Sequence, residues 1–258
     1  MKIMRYLVKD KLSYGVVEET RVKEMDGSPF QGITFTGHIY PLSEVKMLAP
    51  STPTKVLAMA LNYASHIRGA PQPTKPEPFF KTPSCIIGPG DPIILPRGVG
   101  EVHEEAELVV VIGRRCRKVS PSEAMEYVLG YTCGNDVSAR EWQRGDKQWW
   151  RAKSSDTFGP IGPAIETDLD CSQLDIWARV NGKDVQHCNT SELLFDVPSV
   201  ISFISQVVTL EPGDLIFTGT SGVPVRITDG DTVEVEVEGI GVLSNPVKNE
   251  PTSHERET

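Results

Sequence analysis

An acidic segment runs directly into an apolar one where residues 102–113 read VHEEAELVVVIG. The five apolar residues after Glu107 are typical of a buried β-strand, on which side chains two apart share a face. Glu105 and Glu107 are therefore predicted to point the same way, into the protein or into a cleft. Two like charges in a low-dielectric setting are costly unless a positive charge lies between them. The pattern favours a hard divalent cation, Mg²⁺ or Mn²⁺, because such ions prefer oxygen ligands.

Alternating acids alone do not identify a metal site. Residues 232–238 (TVEVEVE) alternate strictly and predict a half-buried strand whose glutamates face water. Asp136 is the third candidate ligand because it closes the mostly apolar segment 131–135. An aspartate there is also commonly the cap of a helix over residues 137–140. His103 shares the predicted face of the two glutamates and could be a further ligand, although hard cations favour oxygen.

Length, charge and cysteine usage narrow the class of protein. The 258 residues suit one large domain with a small addition, and we expect a small β region over 1–52 before a main body over 53–258. The net charge of -9 argues against a nucleic-acid partner. No apolar run is long enough to cross a membrane. Five scattered cysteines and the absence of a signal-like N-terminus predict a cytoplasmic protein with reduced thiols.

Short strands separated by turn residues dominate the pattern, so the predicted fold class is mostly β with a few helices. A capping box at residues 120–123 opens a short predicted helix that ends at Tyr127. Residues 198–208 carry one apolar face and predict a second helix. The proline-dense segment 69–78 is either a surface linker or a flap over a site. Glycines and prolines in residues 151–163 predict irregular backbone there.

A series of short motifs points to a known family. In chain order they are LNYASH (61–66), FKTPS (80–84), EAEL (105–108), GY (130–131), NDVSAR (135–140), KSSDTFGP (153–160), VNG (180–182), TLEPGD (209–214) and TGT (218–220). With these blocks the chain resembles the fumarylacetoacetate hydrolase family from about residue 57 to residue 249. The similar region is the one shared by acylpyruvate hydrolases, oxaloacetate decarboxylases and 2-hydroxyhepta-2,4-diene-1,7-dioate isomerases.

The resemblance implies a mixed β-sandwich roll, here with the small N-terminal β region, and usually a homodimer. It implies that Glu105, Glu107 and Asp136 hold Mg²⁺ or Mn²⁺, with the catalytic Lys153 near the metal. The implied substrates are small anionic 2-oxo acids and their enols, which chelate the metal through the carboxylate and the adjacent oxygen.

The resemblance also implies the residues on the substrate side. His66 would be the general base, since imidazole titrates near neutral pH. Arg140 would help to balance the charge of an anionic ligand. Gln143 and Thr220 match positions that contact substrate in the family, and Lys81 is expected at the edge of the pocket as a further substrate contact.

Two departures from the family pattern fall on the substrate side of the pocket. Many hydrolases and decarboxylases of the family carry a glutamate three residues after the histidine, where this chain has Gly69. Glu77 could supply a carboxylate instead. Residues 218–224 (TGTSGVP) also differ from the usual block. The aromatic residues Trp142, Trp149 and Trp150 could line the pocket, or build core or a subunit interface.

The missing glutamate guides the choice of reaction. It weakens water activation, so we favour isomerisation or decarboxylation through a metal-bound enolate, which needs only one base. Acylpyruvate-type C–C bond hydrolysis is the alternative within the same class. A relative that binds metal without turnover is the second hypothesis.

Overall fold

The computed structural model describes residues 1–67, 69 and 71–251, most of them in or between β-strands. The strands are β1 (Lys2–Val8), β2 (Lys11–Glu18), β3 (Arg21–Met25), β4 (Phe35–Pro41), β5 (Lys46–Leu48), β6 (Val56–Ala60), β7 (Glu77–Lys81), β8 (Ile86–Ile87), β9 (Ile93–Leu95), β10 (Val102–His103), β11 (Ala106–Ile112), β12 (Val128–Asn135), β13 (Ser138–Ala139), β14 (Gly159–Glu166), β15 (Asp175–Val180), β16 (Lys183–Asn189), β17 (Leu215–Phe217), β18 (Arg226–Ile227), β19 (Thr232–Val237) and β20 (Gly241–Asn249). The α-helices are α1 (Pro121–Ala124), α2 (Arg140–Gly145), α3 (Trp150–Ser154) and α4 (Val197–Ser205).

Two sheets form the body of the molecule. The large sheet has the order β4-β3-β2-β1-β14-β12-β11-β17-β6-β7, with β5 paired to β1 and β8 paired to β14. The second sheet has the order β16-β15-β19-β20-β9, and a small third sheet joins β13, β10 and β18. Most neighbours are antiparallel, whereas β17 and β6 run parallel. The predicted mostly-β sandwich with few helices is confirmed.

Strand β11 lies between two cores, which explains its unbroken apolar run. Leu108 and Val110 join the core shared with the second sheet, and with helix α4. Val109 and Val111 join the core on the opposite face of the large sheet, beside Phe217. A strand buried on both faces has no solvent side to receive polar residues.

The N-terminal region extends the large sheet. Ile3 in β1 lies opposite Ile165 in β14, and β2, β3 and β4 follow in order outward. Strands β1 to β5 all lie within residues 1–52, where β structure was expected. The division of the chain at residues 52 and 53 stays a prediction.

Helix starts are predicted better than helix extents. The capping box of Ser120 and Glu123 is present, and α1 continues as a 3₁₀ turn that ends at Tyr127. Helix α4 begins after Asp196, whose side chain accepts a hydrogen bond from the Ser199 amide. It ends before the predicted limit of 208, at Ser205.

The irregular backbone predicted for residues 151–163 is wrong for most of that segment. Helix α3 covers Trp150–Ser154, and β14 begins at Gly159. Tertiary burial explains the difference, because Ala152, Lys153 and Ser154 are all buried within the short helix.

Two further expectations can be compared with the described residues. The proline-dense segment 69–78 has no helix or strand over residues 71–76, and its last two residues belong to β7. Ala70 lies outside the described residues. Asp136 is not a helix cap, because the next helix, α2, begins only at Arg140 with Ala139 in the cap position. No helix in the described part of the chain is both long and apolar enough to cross a membrane.

Candidate metal centre

Pairing of β11 with β12 brings the three candidate carboxylates together. Glu107 lies opposite Gly134 in the antiparallel register, and the Asp136 amide donates to the Glu105 carbonyl at 2.9 Å. One oxygen from each of the carboxylates of Glu105, Glu107 and Asp136 lies within 4.8 Å of the others, and all three residues are buried. The structure thus places at one point the residues that the sequence singled out from two separate segments.

Buried cations contact two of these carboxylates. The Lys153 ammonium lies 2.6 Å from Glu105 Oε2 and 2.7 Å from Asp136 Oδ2. Arg140 Nη2 lies 2.7 Å from Glu105 Oε1, and Lys81 Nζ lies 2.7 Å from Asp136 Oδ1. Such contacts offset the cost of removing charges from water.

The two glutamates therefore differ in their electrostatics. Burial alone would raise the pKa of Glu105, but the charges of Lys153 and Arg140 outweigh it and lower that pKa to about 2. Burial and the negative charges of Asp136 and Glu105 raise the pKa of Glu107 well above its usual range. Glu107 accepts a hydrogen bond from the Gly219 amide at 2.6 Å, and among the described residues it forms no ion pair.

The donor set fits a hard divalent cation. It consists of buried carboxylates only, and one of them, Glu107, lies beside the negative charges of Asp136 and Glu105 and forms no ion pair within the part of the chain that the structure describes. A dication would compensate that charge, and the carboxylate oxygens are the kind of ligand that Mg²⁺ and Mn²⁺ favour.

His66 follows β6 in a 3₁₀ turn over Ala64–His66. Its Nδ1 lies 2.9 Å from the Gly222 carbonyl oxygen. A carbonyl can only accept, so Nδ1 carries the proton and Nε2 keeps the lone pair of the neutral ring. With Nδ1 donating to Gly222, Nε2 is the ring nitrogen left to accept a hydrogen bond or a proton.

A cavity of about 40 Å³ lies over the carboxylates. Its polar lining consists of His66, Glu105, Asp136, Gln143, Lys153 and Thr220. Its apolar lining consists of Met59, Ala60, Leu61, Phe79 and Trp149. Arg140 joins the polar side through Gln143, whose Oε1 accepts from Arg140 Nη1 at 2.9 Å. The cavity therefore brings together most of the residues that the sequence predicted for catalysis and substrate binding.

Lys81 does not lie at the edge of the pocket as expected. Its ammonium group is fully buried below Asp136 and also donates to the carbonyls of Phe158, at 3.1 Å, and Lys153. An ammonium has three donors, and these three acceptors use them all. This explains how a lysine is buried at that position, and it favours support of Asp136 over contact with substrate.

The other candidates occupy different places. His103 is not part of the carboxylate group, and burial together with the charge of Arg140 lowers its pKa. Trp149 lines the cavity with its ring edge-on to Phe79. Trp142 is partly buried against a third core, whereas Trp150 is 65% exposed.

Sequence reasoning missed two buried polar residues beside the site. Burial raises the pKa of Glu104 to about 7, and its Oε1 accepts from the Val225 amide at 2.9 Å. Gln186, in β16, contacts Ala106 and Thr220. Neither residue stands out in the sequence, because Glu104 is flanked by other polar residues and Gln186 is followed by His187.

The glycine of the TGT motif is required by its surroundings. Gly219 has a φ of +104°, and a Cβ there would lie 2.9 Å from Asn62 Cβ. A side chain would therefore displace the amide that donates to Glu107.

Together, the sandwich and the buried carboxylates below a histidine-lined cavity form the candidate active site of an enzyme. Residues 55–248 match the family described as fumarylacetoacetate (FAA) hydrolase C-terminal, and residues 1–50 match the Rv2993c-like N-terminal family. The chain belongs to the fumarylacetoacetate hydrolase family of enzymes, as the resemblance implied.

Proteins similar to this chain include enzymes with several different activities. The chain is 46% identical over 224 residues to oxaloacetate tautomerase FAHD2A, mitochondrial, of Bos taurus, covering 81% of this chain and 71% of that protein. The crystal structure of 5-carboxymethyl-2-hydroxymuconate delta-isomerase from Mycobacterium smegmatis has 45% identity and a TM-score of 0.93, covering 97% of this chain and 100% of the other. Maleylpyruvate hydrolase from Sphingobium sp. SYK-6, in complex with manganese(II) ion and pyruvate, has 29% identity and a TM-score of 0.81 with the same coverage.

Proposed function

We propose that this protein is a Mg²⁺- or Mn²⁺-dependent enzyme that isomerises or decarboxylates a 2-oxo acid or its enol. The observation that carries the proposal is the group of Glu105, Glu107 and Asp136, buried below a cavity that His66 also lines. The similarity to a tautomerase and an isomerase supports the choice of reaction.

The metal would be held by the same three carboxylates, Glu105, Glu107 and Asp136. When bound, a dication supplies Lewis-acid polarisation of the adjacent oxygens of a 2-oxo acid. Burial and the neighbouring negative charges raise the pKa of Glu107, so its carboxyl group would have to lose any bound proton to serve as a ligand. The relative with manganese(II) and pyruvate supports this assignment without choosing between Mg²⁺ and Mn²⁺.

His66 would move the proton. Its Nδ1 proton is held by the Gly222 carbonyl, so Nε2 is the atom that would accept a proton from the carbon next to the 2-oxo group and deliver it to the 2-oxo oxygen, giving the enol, or carry it in the reverse direction. Keto–enol isomerisation needs only this one base. The residue three positions after His66 is the exposed Gly69, which has no carboxylate to activate water.

The remaining polar residues would bind and orient the anionic substrate. Lys153 and Arg140 keep two positive charges beside Glu105, which favours a negatively charged ligand. Gln143 and Thr220 line the cavity and offer hydrogen-bonding groups for the carboxylate or the 2-oxo group. We also propose that the protein acts as a cytoplasmic homodimer.

C–C bond hydrolysis of an acylpyruvate-type substrate is the second candidate. The similarity to maleylpyruvate hydrolase favours it, although at lower identity than the similarity to the isomerase and the tautomerase.

The test is a substrate panel with purified, Mn²⁺-loaded protein. We expect faster ketonisation of enol-oxaloacetate, followed by loss of ultraviolet absorbance, or faster decarboxylation to pyruvate. Cleavage of acylpyruvates would select the hydrolase. A matched control is Glu234→Gln in β19, a half-exposed residue that belongs neither to the carboxylate group nor to the cavity lining and should match wild type. No turnover on any 2-oxo acid would leave a non-catalytic metal-binding relative and overturn the proposal.

A further inference from the structure

Gln186 links the second sheet to the candidate metal centre. It lies in β16 and is buried. Its Oε1 accepts from the Ala106 amide at 3.1 Å, and its Nε2 donates to Thr220 Oγ1 at 3.1 Å and to the Ser221 carbonyl at 2.7 Å. One side chain thus contacts both β11, the strand that carries Glu107, and the loop that follows β17.

These contacts form a closed ring of hydrogen bonds. The Thr220 hydroxyl donates to the Ala106 carbonyl at 3.1 Å, while its oxygen accepts from Gln186. Both backbone polar groups of Ala106 are therefore held by this ring, and Ala106 lies between Glu105 and Glu107 in the chain. The glutamine amide supplies both a donor and an acceptor, whereas methionine offers no donor and an ionised glutamate offers acceptors only, so neither reproduces the ring.

The same loop sets the state of His66. Immediately after Ser221, the Gly222 carbonyl accepts the Nδ1 proton of His66 at 2.9 Å, and the Gly222 amide donates to Ser65 Oγ at 3.1 Å. The direction of the Gly222 carbonyl thus depends on a loop whose preceding residue is anchored by Gln186.

We propose that Gln186 is a positioning residue that acts through Thr220 and Ser221 to keep His66 in the Nδ1-protonated tautomer. Its effect on rate rests on the proposed function, whereas its effect on the imidazole does not. A merely structural role would lower stability and leave the tautomer unchanged.

The experiment is ¹H–¹⁵N spectroscopy of the imidazole nitrogens in metal-free protein, at a pH about two units above the usual imidazole pKa of ~6.5. The spectrum of His66→Gln identifies the His66 signals among the five histidines. Wild type should show His66 protonated at Nδ1. Gln186→Met should show a mixture of both tautomers. Gln206→Met is the matched control, because the Gln206 amide donates to the Val119 and Ser202 carbonyls at the end of α4.

Two further measurements complete the test. With Mn²⁺ and the active substrate, Gln186→Met should lower kcat by about 10- to 100-fold, the usual effect of losing a residue that supports a metal site. If Gln186→Met does not fold, Gln186→Glu keeps the length and the acceptor for Ala106 but loses the donor, so the same tautomer change is expected.

The outcomes separate the two proposals. An unchanged His66 tautomer in the folded variant overturns the role of Gln186, whatever its activity. Absence of turnover in wild type overturns the proposed function, while the imidazole spectra still decide whether Gln186 positions His66.

Discussion

Replacing Lys153 by methionine tests the electrostatics of the site most directly. The ammonium is 3% exposed and contacts Glu105 and Asp136 at 2.6 and 2.7 Å. Removing one partner of a buried ion pair costs roughly 3–5 kcal/mol, because a buried charge is left uncompensated. Arg140 and Lys81 still contact the two carboxylates, so we expect the lower end, about 3 kcal/mol, in metal-free protein.

A dication should recover much of this loss. A ligand that binds only folded protein adds about 2.7 kcal/mol to the free energy of unfolding at 100 times its Kd. Lys153→Met removes a positive charge next to the proposed metal, so the variant should bind Mn²⁺ at least as tightly as wild type.

The assay is urea unfolding of wild type and Lys153→Met, with and without Mn²⁺. Lys183→Met, at an exposed position in β16, is the matched control and should change the free energy of unfolding by less than about 0.5 kcal/mol. A loss below about 1 kcal/mol in metal-free Lys153→Met would show that the ion pairs are not the buried, compensating contacts described above. Weaker Mn²⁺ binding by the variant would show that Lys153 does not compete with the metal for the carboxylates.

Three further results are expected. Glu107→Ala should abolish Mn²⁺ binding in calorimetry, and retained affinity would contradict its assignment as a ligand. His66→Ala should keep Mn²⁺ affinity but lower the rate by roughly 10²- to 10⁴-fold, and an unchanged rate would assign proton transfer to another residue. Because the pKa of Glu107 is raised, the metal-free site favours its neutral form, while the metal binds the carboxylate. Mn²⁺ affinity should therefore rise about tenfold per pH unit below that pKa, and calorimetry in buffers of different ionisation enthalpy should detect the released proton. Binding without proton release would contradict the raised pKa.

Local pattern predicted several features of the fold and site well. Alternation predicted that β19 buries its valines, as the structure shows. The capping box of Ser120 and Glu123 marked the start of α1. The period of two placed Glu105 and Glu107 together, since their oxygens meet in the buried group. In each case the decisive residues are close in sequence.

Other features depended on residues far apart in the chain. Glycines and prolines around residues 151–163 suggested irregular backbone, yet burial of α3 stabilised a helix there. Lys81 was expected at the edge of the pocket as a substrate contact, but acceptors from Asp136, Lys153 and Phe158 make its burial possible.

The amino-acid pattern was sufficient for the mostly-β class, the family and the identity of the three acidic residues, because periodicity and short motifs are properties of neighbouring residues. Tertiary structure was needed to show that β11 and β12 pair in the register that sets Asp136 beside Glu105. It was also needed to show which cations compensate these acids, and that Gln186, from the second sheet, accepts a hydrogen bond from the Ala106 amide. The physical reason is that desolvation and charge compensation depend on everything within a few ångströms, and most of those neighbours are distant in sequence.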